Sequence, residues 1–410
     1  MTGLAALALL WVSQETPVPE SGPRDRIRAI RALTREGAPA IEKIAPYLSD
    51  GEATVRLEAA KAIGDIGTNR ALDPLLKAVP DPDPEVANRA AAGIVNFYAP
   101  GYLKASASRA AGMAIEPWIE VRPEVVAALG KALSSDRDLG VRANMARALG
   151  VVRGRAALDD LHGALRSKDT SLIGESLIAL EKIRDPRSAE RVVFLFRDPD
   201  ESVASRALEL AGLLRAVEQV PEIESAYARS TSAKVQRAAI LALALIGDPR
   251  GKPYFVQAID HKDDGLRAAA AEGLGRLGDL ESQPRLTQCL DEERKMPPRL
   301  ACAFALAAGG RLEAGEASPL TILVGTLNSR AWRGVAEAYL AELARKKSVR
   351  TILEQAVGGA NKDEKLAIAR ILGETGDSTT IPVLERLSRD SDSDVIETGM
   401  RALRALKARL

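Results

Sequence analysis

Residues 55–64 read Val-Arg-Leu-Glu-Ala-Ala-Lys-Ala-Ile-Gly. The pattern returns at 141–150 as Val-Arg-Ala-Asn-Met-Ala-Arg-Ala-Leu-Gly and at 266–275 as Leu-Arg-Ala-Ala-Ala-Ala-Glu-Gly-Leu-Gly. Counted from the opening residue, positions 0, 4, 5 and 8 are apolar in all three copies, the spacing that places side chains on one stripe of an α-helix. Weaker copies open at Val86, Ile173, Val203, Val235, Leu300, Val335, Leu366 and Val395, and the steps between successive openings are 31, 55, 32, 30, 32, 31, 34, 35, 31 and 29 residues. One outlier aside, the recurrence is close to 31, and such a period means stacked supersecondary units.

Each unit reads as two helices, because a second apolar run precedes the anchored one, as at 72–79 and 189–196. Asp-rich turns separate them: DGEATV at 50–55, DPDPEV at 81–86, DRDLGV at 136–141, DPDESV at 198–203 and DSDSDV at 390–395. Their carboxylates suit both the unpaired N–H groups and the positive dipole end of the helix that follows. Gly64-Asp65, Gly247-Asp248, Gly278-Asp279 and Gly376-Asp377 follow anchored helices, where Gly can take the left-handed closing conformation and Asp can begin the next cap. GDPR at 247–250 is therefore punctuation, with Asp248 structural and Pro249 where no N–H is needed. A phosphate loop is excluded by the absence of GxxxxGK[ST] and by the recurrence of the motif.

Composition agrees with an all-α chain whose core is small. Aromatic residues make up 3% and apolar residues 46%, and no β-branched alternation argues for a sheet. The net charge of +1, from 57 bases interleaved with 56 acids, argues against a general polyanion binder, so no nucleic-acid partner is expected. Cys289, Cys302, His162 and His261 are the whole cysteine and histidine inventory, too poor for a disulfide framework or a metal site; Cys302 reads as a small core residue and both histidines as surface residues. No catalytic grouping stands out, and neither a cofactor nor a catalytic residue is expected.

The motif V-R-x-x-A-A-x-A-L-G followed by x-G-D-P-R resembles the HEAT repeat, particularly the short, Ala-rich variety called PBS-lyase HEAT-like. The resemblance covers roughly residues 24–410 and implies a right-handed α-α superhelix, a solenoid of about 11–12 helix pairs, with the anchored helices on its concave side. It implies that the Arg after the anchor (Arg56, Arg142, Arg267) pairs with turn aspartates of neighbouring units. Some members attach bilin chromophores and some HEAT-like solenoids act on DNA, which gives a chromophore-attachment factor and, below it, a nucleic-acid-binding protein as alternatives to a scaffold. No residue here carries either over.

Residues 1–23 form a separate segment. Leu4–Val12 has the length of a signal-peptide apolar core and is too short to span a bilayer, but no Lys or Arg precedes it and no A-x-A site follows. The balance favours export, to a periplasm or outside the cell, over the cytoplasm.

The outlier step of 55 holds an insertion at about 98–121. With the adjacent Phe97 it carries Phe97, Tyr98, Tyr102 and Trp118, four of the chain's fourteen aromatics. Aromatic anchors dominate binding hot spots, although the same rings can plug the gap the irregularity creates. Both readings stand. On the exposed side of the anchored helices, Lys61, Arg89, Arg147 and Arg206 are the bases of a mixed-charge face. The function expected is a monomeric, non-catalytic scaffold gripping a protein partner through this face, the insertion or both. The degenerate copies near 300–345 make the region around Gly309-Gly310 the expected weak link.

Overall fold

Every anchor found in the sequence lies in a helix of the computed structural model, which describes residues 22–410 except 117, 314 and 316. The apolar run Leu4–Val12 lies outside the described residues. The eleven anchored helices, named here by their anchors, are Val55 (Ala53–Ile66), Val86 (Pro84–Tyr98), Val141 (Leu139–Val151), Ile173 (Thr170–Ile183), Val203 (Glu201–Leu213), Val235 (Ala233–Ile246), Leu266 (Asp264–Leu277), Leu300 (Met296–Ala308), Val335 (Arg333–Leu343), Leu366 (Lys362–Thr375) and Val395 (Ser393–Lys407). Shorter helices, such as Leu72–Ala78 and Lys252–Ala258, precede them. No strand occurs among the described residues. The fold is an all-α, HEAT-like solenoid. The chain divides into two compact units, one ending at Arg191 and the other beginning at Val192.

The stripe inferred from sequence is the buried stripe. In the Val141 helix, Val141, Met145, Ala146 and Leu149 are wholly buried, and burying side chains of the larger kind contributes roughly 1.5–3 kcal/mol each. The closing Gly of the motif has a separate task. A Cβ added at Gly150 would stand 2.8 Å from Ala179 Cα, and one at Gly212 or Gly275 would stand 2.7 Å from Ala242 Cα or 2.5 Å from Ala305 Cα. Gly therefore lets consecutive anchored helices touch backbone to backbone, which is how a core poor in large side chains still packs densely.

This contact also resets the register. Counting seven residues back from Ala179 and Ala305 gives Leu172 and Pro298 as the positions equivalent to Val141, so the expected openings Ile173 and Leu300 are one and two residues late. Gly373 meets Ala402 Cβ in the same way at 2.9 Å, which moves the Leu366 opening to Glu364. Apolar neighbours inside the helices masked the shift, because Ile173 and Leu300 are buried too and Leu366 is half-buried.

Four of the five Asp turns cap as expected, and DGEATV does not, because Glu52 stands at the cap without a side-chain bond. Asp83, Asp138, Asp200 and Asp392 each accept two backbone N–H groups of the following helix. The first Asp of the turn accepts the N–H two residues on: Asp50 from Glu52, Asp81 from Asp83, Asp198 from Asp200. Ser167, Ser230 and the Nδ1 of His261 fill that place elsewhere. The left-handed closures fall differently from expectation. Gly247 and Gly278 take them, with φ of 71° and 66°, whereas Gly64 lies inside its helix and Gly67, at 62°, closes it. Gly376 has φ −63°. Arg153, Arg184 and Arg215 occupy the same closing place, at φ of 50°, 53° and 52°.

The Arg ladder implied by the resemblance is present in part. Arg56 pairs with Asp81 at 2.8 Å, and Arg267 with Glu293 at 2.8 Å. Arg142 instead donates to the Leu133 carbonyl at 2.7 Å, because the turn of the next repeat carries Ser167 where a carboxylate would stand.

Candidate functional site

The insertion begins where the Val86 helix ends at Tyr98, and it does not break the stack. The Val86 helix still packs on the Val141 helix, and Arg137 reaches back to the carbonyls of Asp81, at 2.6 Å, and Pro80. The extra residues form a loop stitched to the repeats at several points. Asn96 Oδ1 accepts the N–H groups of Gly101 and Leu103. Tyr98 Oη accepts the N–H of Arg122 at 3.2 Å, drawing the loop's two ends together, and the N–H of Ile115 donates to the Val151 carbonyl at 2.8 Å.

The four aromatics divide. Phe97 and Tyr98 meet edge to face at 4.9 Å, with Tyr98 8% exposed. Tyr102 is half-buried; burial pushes its phenol pKa up, while Arg147 lowers it and Glu175 raises it. The loop is thus within electrostatic reach of the Val141 and Ile173 helices. Trp118 points out, 58% exposed, with Ile119 36% exposed beside it. Ile119 lines a cleft of about 270 Å³ together with Ile115, Val121, Pro123, Val126 and Val152, with Glu116, Arg153 and Arg155 supplying charge. Arg155 pairs with Asp185 at 3.4 Å.

The bases predicted for the exposed helix face are mostly engaged by neighbours. Arg147 makes two bonds to Glu175, at 2.6 and 3.1 Å, and one to Asn144 at 2.8 Å. Arg89 pairs with Asp65 at 2.7 Å. Lys61 is exposed, and Arg206 is half-buried and acts on Glu209, whose carboxyl pKa is raised by burial. A groove of about 270 Å³ in the second unit is lined by Glu209, Lys234, Arg237, Leu241 and Glu272. Of the expected residues, the structure brings Tyr102 near Arg147 and joins Phe97 to Tyr98.

Sequence reasoning missed three groupings. His162 is half-buried, its Nε2 3.0 Å from Ser188 Oγ, and burial lowers its pKa. Ser188 is wholly buried, so the pair is out of reach of a substrate and serves packing. Cys289 and Cys302 form a disulfide; two cysteines do not make a framework, but they do make one bond. In the second unit Arg276 lies between Glu272 and Glu342, at 2.8 and 2.9 Å, over the Phe304 ring. Its partners are up to 66 residues away, and nothing in a local motif signals that. Among the described residues, no group of three or more His, Cys, Asp or Glu is placed to hold a metal, and no helix is long and apolar enough to cross a membrane.

A stack of anchored helix pairs bearing an aromatic loop defines a repeat protein of the α-solenoid class. A family model of HEAT repeats matches residues 20–94, 126–212 and 220–307, more than half of the chain. The chain belongs to the HEAT-repeat family. Among solved structures, an engineered protein is 20% identical, with 90% of this chain and 98% of that chain covered and a TM-score of 0.38. The YibA protein of Escherichia coli is 14% identical, with 73% and 99% covered and a TM-score of 0.42. No curated protein matches the chain.

Proposed function

We propose that this protein is a non-catalytic scaffold that holds another protein, and that the insertion supplies the principal contact. The observation that carries the reading is the division within the insertion. Phe97, Tyr98 and Tyr102 are at least half turned into the fold, whereas Trp118 stands exposed, next in sequence to Ile119, which lines a largely apolar cleft. A large ring held in water, next in sequence to a residue that lines a cleft, offers apolar surface that a partner's side chain can cover, and exposed aromatic rings are typical binding hot spots. The exposed face of the anchored helices contributes charge register around it: Arg89 and Arg147 are already paired, so they favour a partner of mixed charge over a polyanion. Nucleic-acid binding and chromophore attachment draw no support from any particular residue.

The test replaces Trp118 and Ile119 together by Ser in the full-length chain. Both are exposed, so the helical signal and Tm should hold. A partner captured from the native host and confirmed with purified protein should lose affinity by about 30-fold, the equivalent of about 2 kcal/mol at one hot spot. Undiminished affinity in the variant would overturn the role of the insertion and move the contact to the anchored helices, to Lys61 in the first unit or to Arg206 in the second.

A further inference from the structure

The chain contains two cysteines, and the fold brings them together. Cys289 lies on the shorter helix Gln283–Glu292 and Cys302 on the anchored helix Met296–Ala308 that follows it, with Cα atoms 6.3 Å apart and the sulfurs bonded. That Cα separation is within the range disulfides use. Cys302 is wholly buried and Cys289 is 9% exposed. Leu286 and Leu290 on the first helix and Ala301, Ala303 and Leu306 on the second are buried with them.

Three roles are open to a cysteine pair in an α-solenoid. A metal site needs further ligands, and no suitable group exists among the described residues. A redox switch needs an accessible, activated thiol, and this pair is shut away in apolar surroundings. A structural bond remains. It falls where the repeat pattern is weakest in its usual devices. The helix holding Cys302 starts at Lys295 without a side-chain cap, and Pro297 and Pro298 stand where other repeats offer N–H groups to an Asp. The bond fixes the two helices of that pair to each other directly.

Burial also dictates when the bond is made. Exchange requires a thiolate to attack a disulfide sulfur directly, and the closed pair of helices leaves no approach to Cys302. The two residues are only 13 apart in sequence, so they can meet before the pair packs.

We propose that the Cys289–Cys302 bond is a structural staple introduced during folding by thiol–disulfide exchange, and therefore that the chain matures in an oxidising compartment containing a protein disulfide donor. Before the pair packs, the Cys289 thiol loses its proton to solvent and attacks one sulfur of the donor's disulfide, expelling one donor thiolate. The Cys302 thiolate then attacks the Cys289 sulfur of the mixed disulfide and expels the second. The chain gives up two protons and two electrons, and the donor becomes a dithiol. Compartments of this kind keep such bonds, whereas cytosolic thiols are held reduced.

The experiment has two arms on the full-length chain. Protein from the native host is acid-quenched, denatured without reductant and treated with a maleimide-polymer that shifts its mass. No addition before reduction and two additions after it are expected. Two additions before reduction overturn oxidative maturation. In the second arm, hydrogen exchange is compared between the oxidised chain, the reduced chain and the Cys289→Ala, Cys302→Ala double variant, which contains no thiol. Closing a loop of this size changes a folding equilibrium by roughly a hundred-fold, so amides of 283–308 should exchange about that much faster in both unbridged forms, with those of 139–151 unchanged. Equal rates in all three forms overturn the staple.

Discussion

Two stretches of the second unit build the same architecture by different means. From the Val203 to the Leu266 helix, repeats are held by backbone contact through Gly212 and Ala242, and Asp200 and Asp263 cap the helices. From the Leu300 to the Val335 helix those devices thin out. Lys295 and Trp332 precede the helices without a side-chain cap. In their place stand a disulfide and a cluster of large side chains: Arg276, Glu272, Glu342, Tyr339 and Phe304. The difference teaches that the family pattern describes one way of joining neighbours, and that a repeat can leave the pattern when side chains supply an equivalent join.

The cluster is where the comparison breaks most easily. Arg276 gives two bonds of 2.9 Å to Glu342 and one of 2.8 Å to Glu272, and Tyr339 donates to Glu272 at 2.6 Å. Phe304 stacks on Tyr339 at 4.7 Å, with the Arg276 guanidinium 5.1 Å from the Phe304 ring centre. Burial works against the Arg276 charge, but the carboxylates outweigh it and its pKa is raised; burial and Glu272 raise that of the Tyr339 phenol. Arg276→Ala would leave two carboxylates without their cation, so the unit should lose about 3 kcal/mol, the lower end for a broken buried pair because Glu342 keeps some contact with water. Urea unfolding measures the loss, and hydrogen exchange should localise it to 296–343. A loss below about 1 kcal/mol would mean that the cluster is ornamental and that the region around Gly309-Gly310 is held some other way.

The regular stretch should break through a methyl group. A Cβ at Gly275 would stand 2.5 Å from Ala305 Cα and 2.8 Å from its Cβ, atoms that move only if a whole helix does. Gly275→Ala is expected to cost about 2 kcal/mol by overpacking. The matched control is Gly334→Ala, where the new carbon meets open space and helix propensity contributes up to about 1 kcal/mol of stabilisation. Thermal unfolding of both variants checks the pair. Equal Tm values would show that the motif's Gly has no special standing.

Much of this was legible in the sequence, for reasons particular residues make plain. Val141, Met145, Ala146 and Leu149 announce a helix and its buried stripe because burial and periodicity are the same constraint. The Asp caps were legible because Asp, N–H and helix start are neighbours in sequence. What escaped is non-local. Glu342 lies 66 residues beyond Arg276, and the spacing of Cys289 and Cys302 means nothing until two helices are known to pair. The left-handed Arg153, Arg184 and Arg215 escaped because Gly was the expected residue there, although their spacing of one repeat was visible. For the insertion, the aromatic content was readable but not which ring faces out: Tyr98 and Trp118 separate only once the Tyr98–Arg122 hydrogen bond closes the loop.

The smallest effect sharpens the comparison at the helix starts. Asp263 and Lys295 hold nearly the same extended backbone, φ −80° and ψ 122° against φ −85° and ψ 128°. Asp263 accepts the N–H of Leu266 and also pairs with Arg237 at 3.1 Å, and the loss of the cap bond in Asp263→Ala should cost about 1 kcal/mol beyond the ion pair. Lys295→Asn places a strong capping residue on the same backbone, yet little should be gained. The second and third residues of that helix are Pro297 and Pro298, which have no N–H to donate. Relief of the Lys charge at the positive dipole end is the one gain left, and salt screens it. Measured at high salt, which screens the Arg237 pair, the cap's share of about 1 kcal/mol should remain in Asp263→Ala and the change from Lys295→Asn should vanish. A salt-independent gain of about 1 kcal/mol at Lys295, the size of an ordinary cap, would mean that the degenerate repeat lacks a cap it could use, and that its prolines are not the reason the cap is absent.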